Sequence, residues 1–417
     1  MMKEKVLIAV VDFKKKGGWP VSDIASEMEE LIRACDADVV GKIICPAHPP
    51  SPAMLIHKGK LSEIQALRED LSADTVIFST ELKGSQQRNL EEELKVKVLD
   101  RTHLILDIFA RRATSLEGKL QVELAQLQYR LPRLAGHYEE LSRLGGGIGT
   151  SGPGETKLEV DRRRITQRID RLKSDLLAVT RSRDVKRKKR ERRSVPLIAL
   201  VGYTNAGKST LLNTLTDAHQ VTKDGVFTTL DSLSRQAVLS NRQKVVLSDT
   251  VGFIHDLPHD LIEAFKATLE EVQKADLLLH VVDISDPNYH ARREAVDKVL
   301  EQLEVLGKPT ILVLNKIDKV DDKAWVEVGL KRYENAVAVS ATKRTNIEQL
   351  VFKLEDALAG MVAYIDVKLP LNRMDLVYLA HKEGEVTHEE YQEDGVHLCA
   401  TIPERFVAQY FLQRASQ

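Results

Sequence analysis

Residues 197–215 read LIALVGYTNAGKSTLLNTL, and this stretch decides the fold. Five consecutive apolar residues, Leu197 to Val201, fit a strand buried on both faces, and TLLNTL fits the opening of a helix. Between them Gly202, Tyr203, Thr204, Asn205, Ala206, Gly207, Lys208 and Ser209 match G-x-x-x-x-G-K-[ST]. The two glycines let the backbone curl so that successive N–H groups face phosphate, and the helix N-terminus adds its dipole. Lys208 supplies positive charge to β- and γ-phosphates, and Ser209 offers a hydroxyl to Mg²⁺. The expected fold class is α/β, with a phosphate-binding loop at the end of a central strand.

Two further loops complete a nucleotide site. KVVLSDTVG places Asp249, Thr250, Val251 and Gly252 at the end of a second buried strand. A carboxylate there can hold magnesium through water, and the glycine three residues on can present its N–H to the γ-phosphate. ILVLNKID sets Asn315, Lys316, Ile317 and Asp318 after a third strand. The Asp318 carboxylate can accept from the N1–H and exocyclic amine of guanine, a pair of donors that adenine lacks. Downstream, Val337 to Val339 leads into Ser340, Ala341 and Thr342, where a backbone N–H can meet the guanine carbonyl oxygen. Four elements in this order resemble the G domain of the translation-factor-related GTPases, which implies GTP and GDP as substrate and product and Mg²⁺ as cofactor.

Upstream, residues 1–110 alternate strand and helix: strands at Lys5–Val11, Val39–Ile44, Thr75–Phe78 and Lys97–Asp100, with helices near Val21–Cys35, Leu61–Leu71 and Ser85–Leu94. That alternation predicts a parallel α/β domain. The four prolines of PAHPPSPAMLIHKGK make a loop after the second strand. HKGKLSEIQ, with Lys58, Gly59 and Lys60, lacks a full phosphate-loop pattern and reads as a loop and helix cap rather than a second nucleotide site.

Residues 111–195 predict a long helical hairpin. Leu120, Leu124, Leu127, Leu131, Leu134, Tyr138 and Leu141 form one stripe, and Leu158, Ile165, Ile169, Leu172, Leu176 and Val179 form the other. Pro132 and Gly136 should kink or break the first helix. The glycine-rich stretch Gly145 to Gly154 is the expected tip. RSRDVKRKKRERR follows the second helix, and its bland reading is a solvated linker. The G domain is expected over 196–360 and a small α+β domain over 361–417, with strands at Ile365–Leu369, His388–Tyr391 and Gly395–Ile402 and helices at Met374–Lys382 and Glu404–Gln413.

The 417 residues carry 61 Lys plus Arg against 62 Asp plus Glu. Their distribution is uneven: residues 155–195 hold 16 basic and 7 acidic side chains, a net +9 between flanks of −1 and −9. Such a segment points to an anionic partner. Cys35, Cys45 and Cys399 have no paired or metal-like spacing, which supports neither a disulfide framework nor a zinc site. No apolar run approaches the roughly 20 residues of a membrane span, so a cytoplasmic protein without membrane insertion is expected.

DRTHLILDIFARRATSLEGKLQVELAQL, GGGIGTSGPGETKLEVDRRR, VGYTNAGKSTLLN, FTTLD and DTVGFI resemble the HflX family of ribosome-associated GTPases over nearly the whole chain. The glycine-rich GPGE connection followed by LE-x-DRR is the most distinctive part, although the family usually has Arg at Ser151 and commonly Gln at Lys157. The resemblance implies that FTTLD, Phe227, Thr228, Thr229, Leu230 and Asp231, is the first switch segment. The residues alone leave Thr228 and Thr229 equal candidates for the magnesium; the family pattern F-A-T-L-D selects Thr229. Lys208, Thr229 and Gly252 then act on the reacting phosphate, with Ser209, Thr229 and, through water, Asp249 as the metal set.

It further implies a monomer off the ribosome that docks on the large ribosomal subunit, its hairpin tip near ribosomal RNA, and splits stalled or idle ribosomes. The alternative is an RNA-binding assembly or remodelling factor timed by GTP. Phe253 stands where many related GTPases place a water-orienting glutamine, so slow intrinsic hydrolysis and stimulation by ribosomes are expected.

Overall fold

The computed structural model describes residues 3–14, 19–47, 49–136, 153–191, 195–216, 227, 233–256, 258, 261 and 266–407. They belong to two compact units, one of Met1–Thr180, Gly225–Asp231 and Leu257–Lys266, the other of Arg181–Asp224, Ser232–Asp256 and Ala267–Gln417.

In the first unit, β1 (Lys5–Asp12), β2 (Asp38–Pro46), β3 (Thr75–Phe78) and β4 (Lys97–Asp100) form a parallel sheet of order β2-β1-β3-β4. Helices α1 (Val21–Ala34), α2 (Lys58–Leu71) and α3 (Gly84–Leu94) make the crossovers, and α4 (Arg101–Arg112) follows β4. Leu7, Ala9, Val76 and Phe78 from the strands share one core with Leu61 and Ile64 of α2 and Leu90 and Leu94 of α3. Full burial of each such leucine or isoleucine contributes about 1.5–3 kcal/mol. Lys58 and Lys60 lie in the first turn of α2, and Lys60 pairs with Glu63 at 2.5 Å.

The hairpin stripes meet. Helix α5 (Leu116–Arg130) begins where the Ser115 hydroxyl accepts from the Gly118 N–H at 2.9 Å. It gives way to a 3₁₀ turn over Leu131–Gly136, at the proline that predicted the break. Helix α6 (Pro153–Glu191) returns. Leu124, Ile169 and Leu172 are buried between α5 and α6, flanked by Leu120, Leu127, Leu131, Ile165 and Leu176. The Arg168 guanidinium clamps Glu123 with two bonds of 2.7 and 2.8 Å.

Tyr138, Leu141 and most of the Gly145–Gly154 connection lie outside the described residues. Helix α6 continues through most of the basic run to Glu191. Residues 155–195 contain no glycine or proline, and Lys, Arg and Glu are good helix formers even without an apolar face.

In the second unit, β5 (Leu197–Gly202), β6 (Leu233–Val238), β7 (Lys244–Asp249), β8 (Leu277–Asp283), β9 (Thr310–Asn315) and β10 (Ala336–Ala338) form a sheet of order β10-β9-β8-β5-β7-β6. Only the β6–β7 pair is antiparallel. Helices α7 (Lys208–Leu215), α8 (Lys266–Lys274), α9 (Tyr289–Gln302), α10 (Lys323–Arg332) and α11 (Ile347–Ala357) complete the G-domain part.

The chain then builds a smaller antiparallel sheet, β11 (Val362–Leu369), β12 (Glu385–Gln392) and β13 (Gly395–Pro403), of order β11-β13-β12. Helix α12 (Met374–Glu383) covers one face, with Leu376, Val377 and Ala380 packed against Val396, Leu398, Ala400 and Ile402. The expected terminal helix is described over Glu404–Phe406. No helix among the described residues is long and apolar enough to cross a membrane.

Candidate functional site

Three loops leave the carboxyl ends of β5, β7 and β9 along one edge of the parallel sheet, where open α/β sheets hold ligands. The first, residues 203–207, turns directly into α7. Gly207 has φ of 91°, a left-handed conformation, and a β-carbon there would lie 2.3 Å from Asn315 Nδ2. Both facts require glycine. Lys208 is 6% exposed, and its ammonium donates to the carbonyls of Gly202 and Tyr203 at 3.0 and 2.9 Å. Burial pushes its pKa down to about 8, opposed by Asp249 and reinforced by Lys316. An ammonium so poorly solvated gains strongly from a phosphate beside it.

The β7 loop closes on the first. The Ser209 hydroxyl donates to Asp249 Oδ2 at 2.5 Å, and Asp249 is fully buried. These two hard oxygen donors at a helix N-terminus fit a magnesium ion that keeps most of its ligands as water and phosphate. A β-carbon on Gly252 would lie 2.9 Å from Thr204 Cα and 3.1 Å from Lys208 Nζ, so only glycine allows this approach. The Thr250 hydroxyl donates to the Leu200 carbonyl at 2.7 Å. Phe253 extends the pairing: its N–H donates to the Gly202 carbonyl at 3.1 Å, and its carbonyl accepts from the Thr204 N–H at 2.8 Å. Its side chain is 1% exposed.

The third loop carries the base-reading pattern. Asn315 is buried; its Nδ2 donates to the Ala206 carbonyl at 2.9 Å, and its Oδ1 accepts from the Ala341 N–H at 3.1 Å. Lys316, at φ of 65°, donates to the Asn205 carbonyl at 2.6 Å and pairs with Asp283 at 2.8 Å. Asp318 Oδ1 accepts from the Ser340 hydroxyl at 2.6 Å, and the same hydroxyl accepts from the Lys343 N–H at 3.0 Å. The Ile317 N–H donates to the Val339 carbonyl at 3.3 Å, so NKID and the segment Ser340, Ala341 and Thr342 are held side by side.

The structure therefore gathers the expected residues of the phosphate loop, DTVG, NKID and the 340–342 segment. Of the first switch segment, Phe227 alone is described; its buried ring stands edge-on to Phe109, centroids 4.6 Å apart. Thr228, Thr229, Leu230 and Asp231 lie outside the described residues.

One residue and one contact escaped the sequence reading. Asp283, which orients Lys316, ends the apolar run LLLHVVD, and that polar stop was its only signal. The Tyr203 hydroxyl accepts from the His255 N–H at 2.8 Å, a link with no sequence signal.

Four family models match in succession: GTP-binding GTPase N-terminal over residues 22–110, GTP-binding GTPase Middle Region over 112–190, 50S ribosome-binding GTPase over 197–316 and HflX C-terminal domain over 326–408. The chain is 43% identical over 397 residues to a protein called GTPase HflX from Caldanaerobacter subterraneus subsp. tengcongensis, covering 95% of this chain and 90% of that one. It is 42% identical over 370 residues to GTPase HflX of Escherichia coli K12, covering 88% and 87%. A crystal structure of a GTP-binding protein from the hyperthermophilic archaeon Sulfolobus solfataricus with GDP is 28% identical, covering 86% of this chain and 99% of that one, at a TM-score of 0.43.

Proposed function

The chain belongs to the HflX family of GTPases, and on that premise we propose a GTP hydrolase that docks on the large ribosomal subunit and separates the subunits of stalled or idle ribosomes. The observation that carries the nucleotide half is the mutual bonding of four loops, Ser209 to Asp249, Asn315 to Ala206 and Ala341, and Asp318 to Ser340. In this reading Lys208 neutralises the β- and γ-phosphates, and the Gly252 N–H meets the γ-phosphate. Asp318 reads guanine from the edge that Ser340 holds in place, beside a backbone N–H of Ala341 or Thr342. Ser209, Thr229 and, through water, Asp249 hold magnesium, which neutralises charge on the phosphates when bound.

Phe253 is buried and apolar, so the chain offers no side chain at this position to orient water. The activating group or geometry is supplied by the ribosome, which gives hydrolysis its dependence on docking.

Contact with ribosomal RNA is assigned to α6. Arg162, Arg163 and Arg164 lie within three helical turns of the GPGE sequence, and Arg163 and Arg164 keep 65% and 76% of their side chains exposed. The weak pairs they make with Glu159 and Asp161, at 4.0 and 3.8 Å, leave them able to exchange those partners for phosphate.

The test is sucrose-gradient sedimentation of purified ribosomes with GTP, a non-hydrolysable analogue or GDP. Separation with the analogue supports splitting driven by binding; association only with precursor particles supports an assembly factor instead. Changing Arg162, Arg163 and Arg164 to Ala should weaken co-sedimentation with large subunits and flatten its salt dependence. Replacing 145–154 with a short serine-rich turn should spare GTP binding and abolish separation.

A further inference from the structure

The face of the C-terminal sheet turned away from α12 gathers metal-ligating side chains from all three strands. The register sets Cys399 opposite Asp366 of β11 and His388 of β12, and His397 opposite Glu390 of β12. Val396, Leu398 and Ala400 point into the core, so strand alternation puts His397 and Cys399 on the other face. The ligand atoms of Asp366, His397 and Cys399 all lie within 4.8 Å of one another, as do those of His388, Glu390 and His397. His397 Nε2 is 2.6 Å from Asp366 Oδ1 and 3.9 Å from Cys399 Sγ. The His388 and His397 rings meet edge-on with centroids 5.6 Å apart. Cys399 is 7% exposed, at the base of the cluster.

A cross-strand hydrogen bond explains His397 and Asp366 alone. It does not account for the Cys399 thiol, which lies 3.9 Å from the same nitrogen and also bonds the Tyr364 side chain, or for the second imidazole whose ring meets that of His397. Zinc bonds of about 2.0–2.3 Å in tetrahedral geometry put neighbouring donor atoms about 3.3–3.8 Å apart. The His397 and Cys399 pair is already near that spacing, and the His397 and Asp366 pair needs only to open. Two residues from one strand with no C-x-x-C spacing carry no sequence signal; the sheet register supplies the rest.

We propose that Asp366, His397 and Cys399 form a zinc-class divalent-metal site, with His388 as the fourth ligand brought in from β12. Thiolate and imidazole donors favour zinc and its late first-row neighbours over magnesium or calcium. On binding, the Cys399 thiol releases its proton to solvent, and His397 keeps its ring proton on Nδ1 while Nε2 bonds the ion. The bound metal joins β11, β13 and β12 across the face that α12 leaves uncovered.

The full chain, stripped with EDTA and then held in excess Mg²⁺ and GDP to fill the nucleotide site, is titrated with Co²⁺ as a visible stand-in for zinc. One equivalent should give a thiolate-to-cobalt charge-transfer band that one equivalent of Zn²⁺ abolishes. Cys399→Ser should lose the band, His397→Gln should weaken Co²⁺ binding by at least about tenfold, and Cys35→Ser and Cys45→Ser should change neither. Zinc should raise the melting temperature of the unmodified protein but not that of Cys399→Ser. Absence of the band in the unmodified protein, or its persistence in Cys399→Ser, overturns the site. If Cys399→Ser does not fold, an undiminished affinity in His397→Gln overturns it equally.

Discussion

Replacing Asn315 with alanine should loosen two loops at once. The side chain makes one bond to each, donating to the Ala206 carbonyl at 2.9 Å and accepting from the Ala341 N–H at 3.1 Å, and both residues are buried. Alanine strands a carbonyl and an N–H away from water, at about 1–3 kcal/mol each. Partial relaxation brings the expected total to about 2–4 kcal/mol, which divides between unfolding and the reordering of the loops around nucleotide. If all of it fell on nucleotide binding, GDP affinity would drop by about 30- to 1,000-fold. Urea unfolding of the nucleotide-free protein and calorimetric GDP titration measure the two shares, and hydrogen exchange should show protection falling at both 203–207 and 340–342. A variant with GDP affinity within about threefold of the parent and an unchanged unfolding free energy, or one that loosens only one loop, would refute the bridging role.

Three other outcomes are expected. His280 is 2% exposed on β8 and its pKa is lowered to about 3, first by burial and then by Arg293 and Lys208, so its 3.5 Å approach to Asp297 involves a neutral ring. The unfolded chain takes up a proton below about pH 6.5 that the folded chain refuses, so this residue should remove about 2 kcal/mol of stability between pH 7 and pH 5. His280→Phe should flatten that slope in denaturant melts, and an unchanged slope would count against it. Asp318→Asn should shift preference toward xanthine nucleotides, because one acceptor of the carboxylate becomes a donor; equal binding of ATP and GTP by the unmodified G domain would defeat the assignment. Phe253→Gln should lower stability by about 2–4 kcal/mol through cavity and amide burial without raising ribosome-free hydrolysis or abolishing ribosomal stimulation, read by phosphate release.

Much of this was legible in the sequence because periodicity and local chemistry coincide. The strands at Lys5–Asp12 and Thr75–Phe78 and the buried pairing of Leu124 with Ile169 and Leu172 follow from apolar spacing alone. The extent of α6 did not, because the charge of the 181–193 run says nothing against a helix whose residues have good intrinsic propensity. The NKID pattern announces Asn315 but gives it no partner; its bonds reach the loops after β5 and β10, which the sheet order sets on either side of β9. Asp283 and Tyr203 are similar cases, ordinary residues whose roles depend on what the sheet order brings beside them.

The paired bonds between Phe253 and the phosphate loop make two distant amides part of a single opening event. The Thr204 N–H and the Phe253 N–H each end in the other strand's carbonyls, at 2.8 and 3.1 Å, so neither can reach solvent by a fluctuation that leaves the other closed. Their exchange rates should move together with temperature, denaturant and nucleotide. A divergence between them would time the moment at which the 249–253 segment lets go of the loop that grips phosphate.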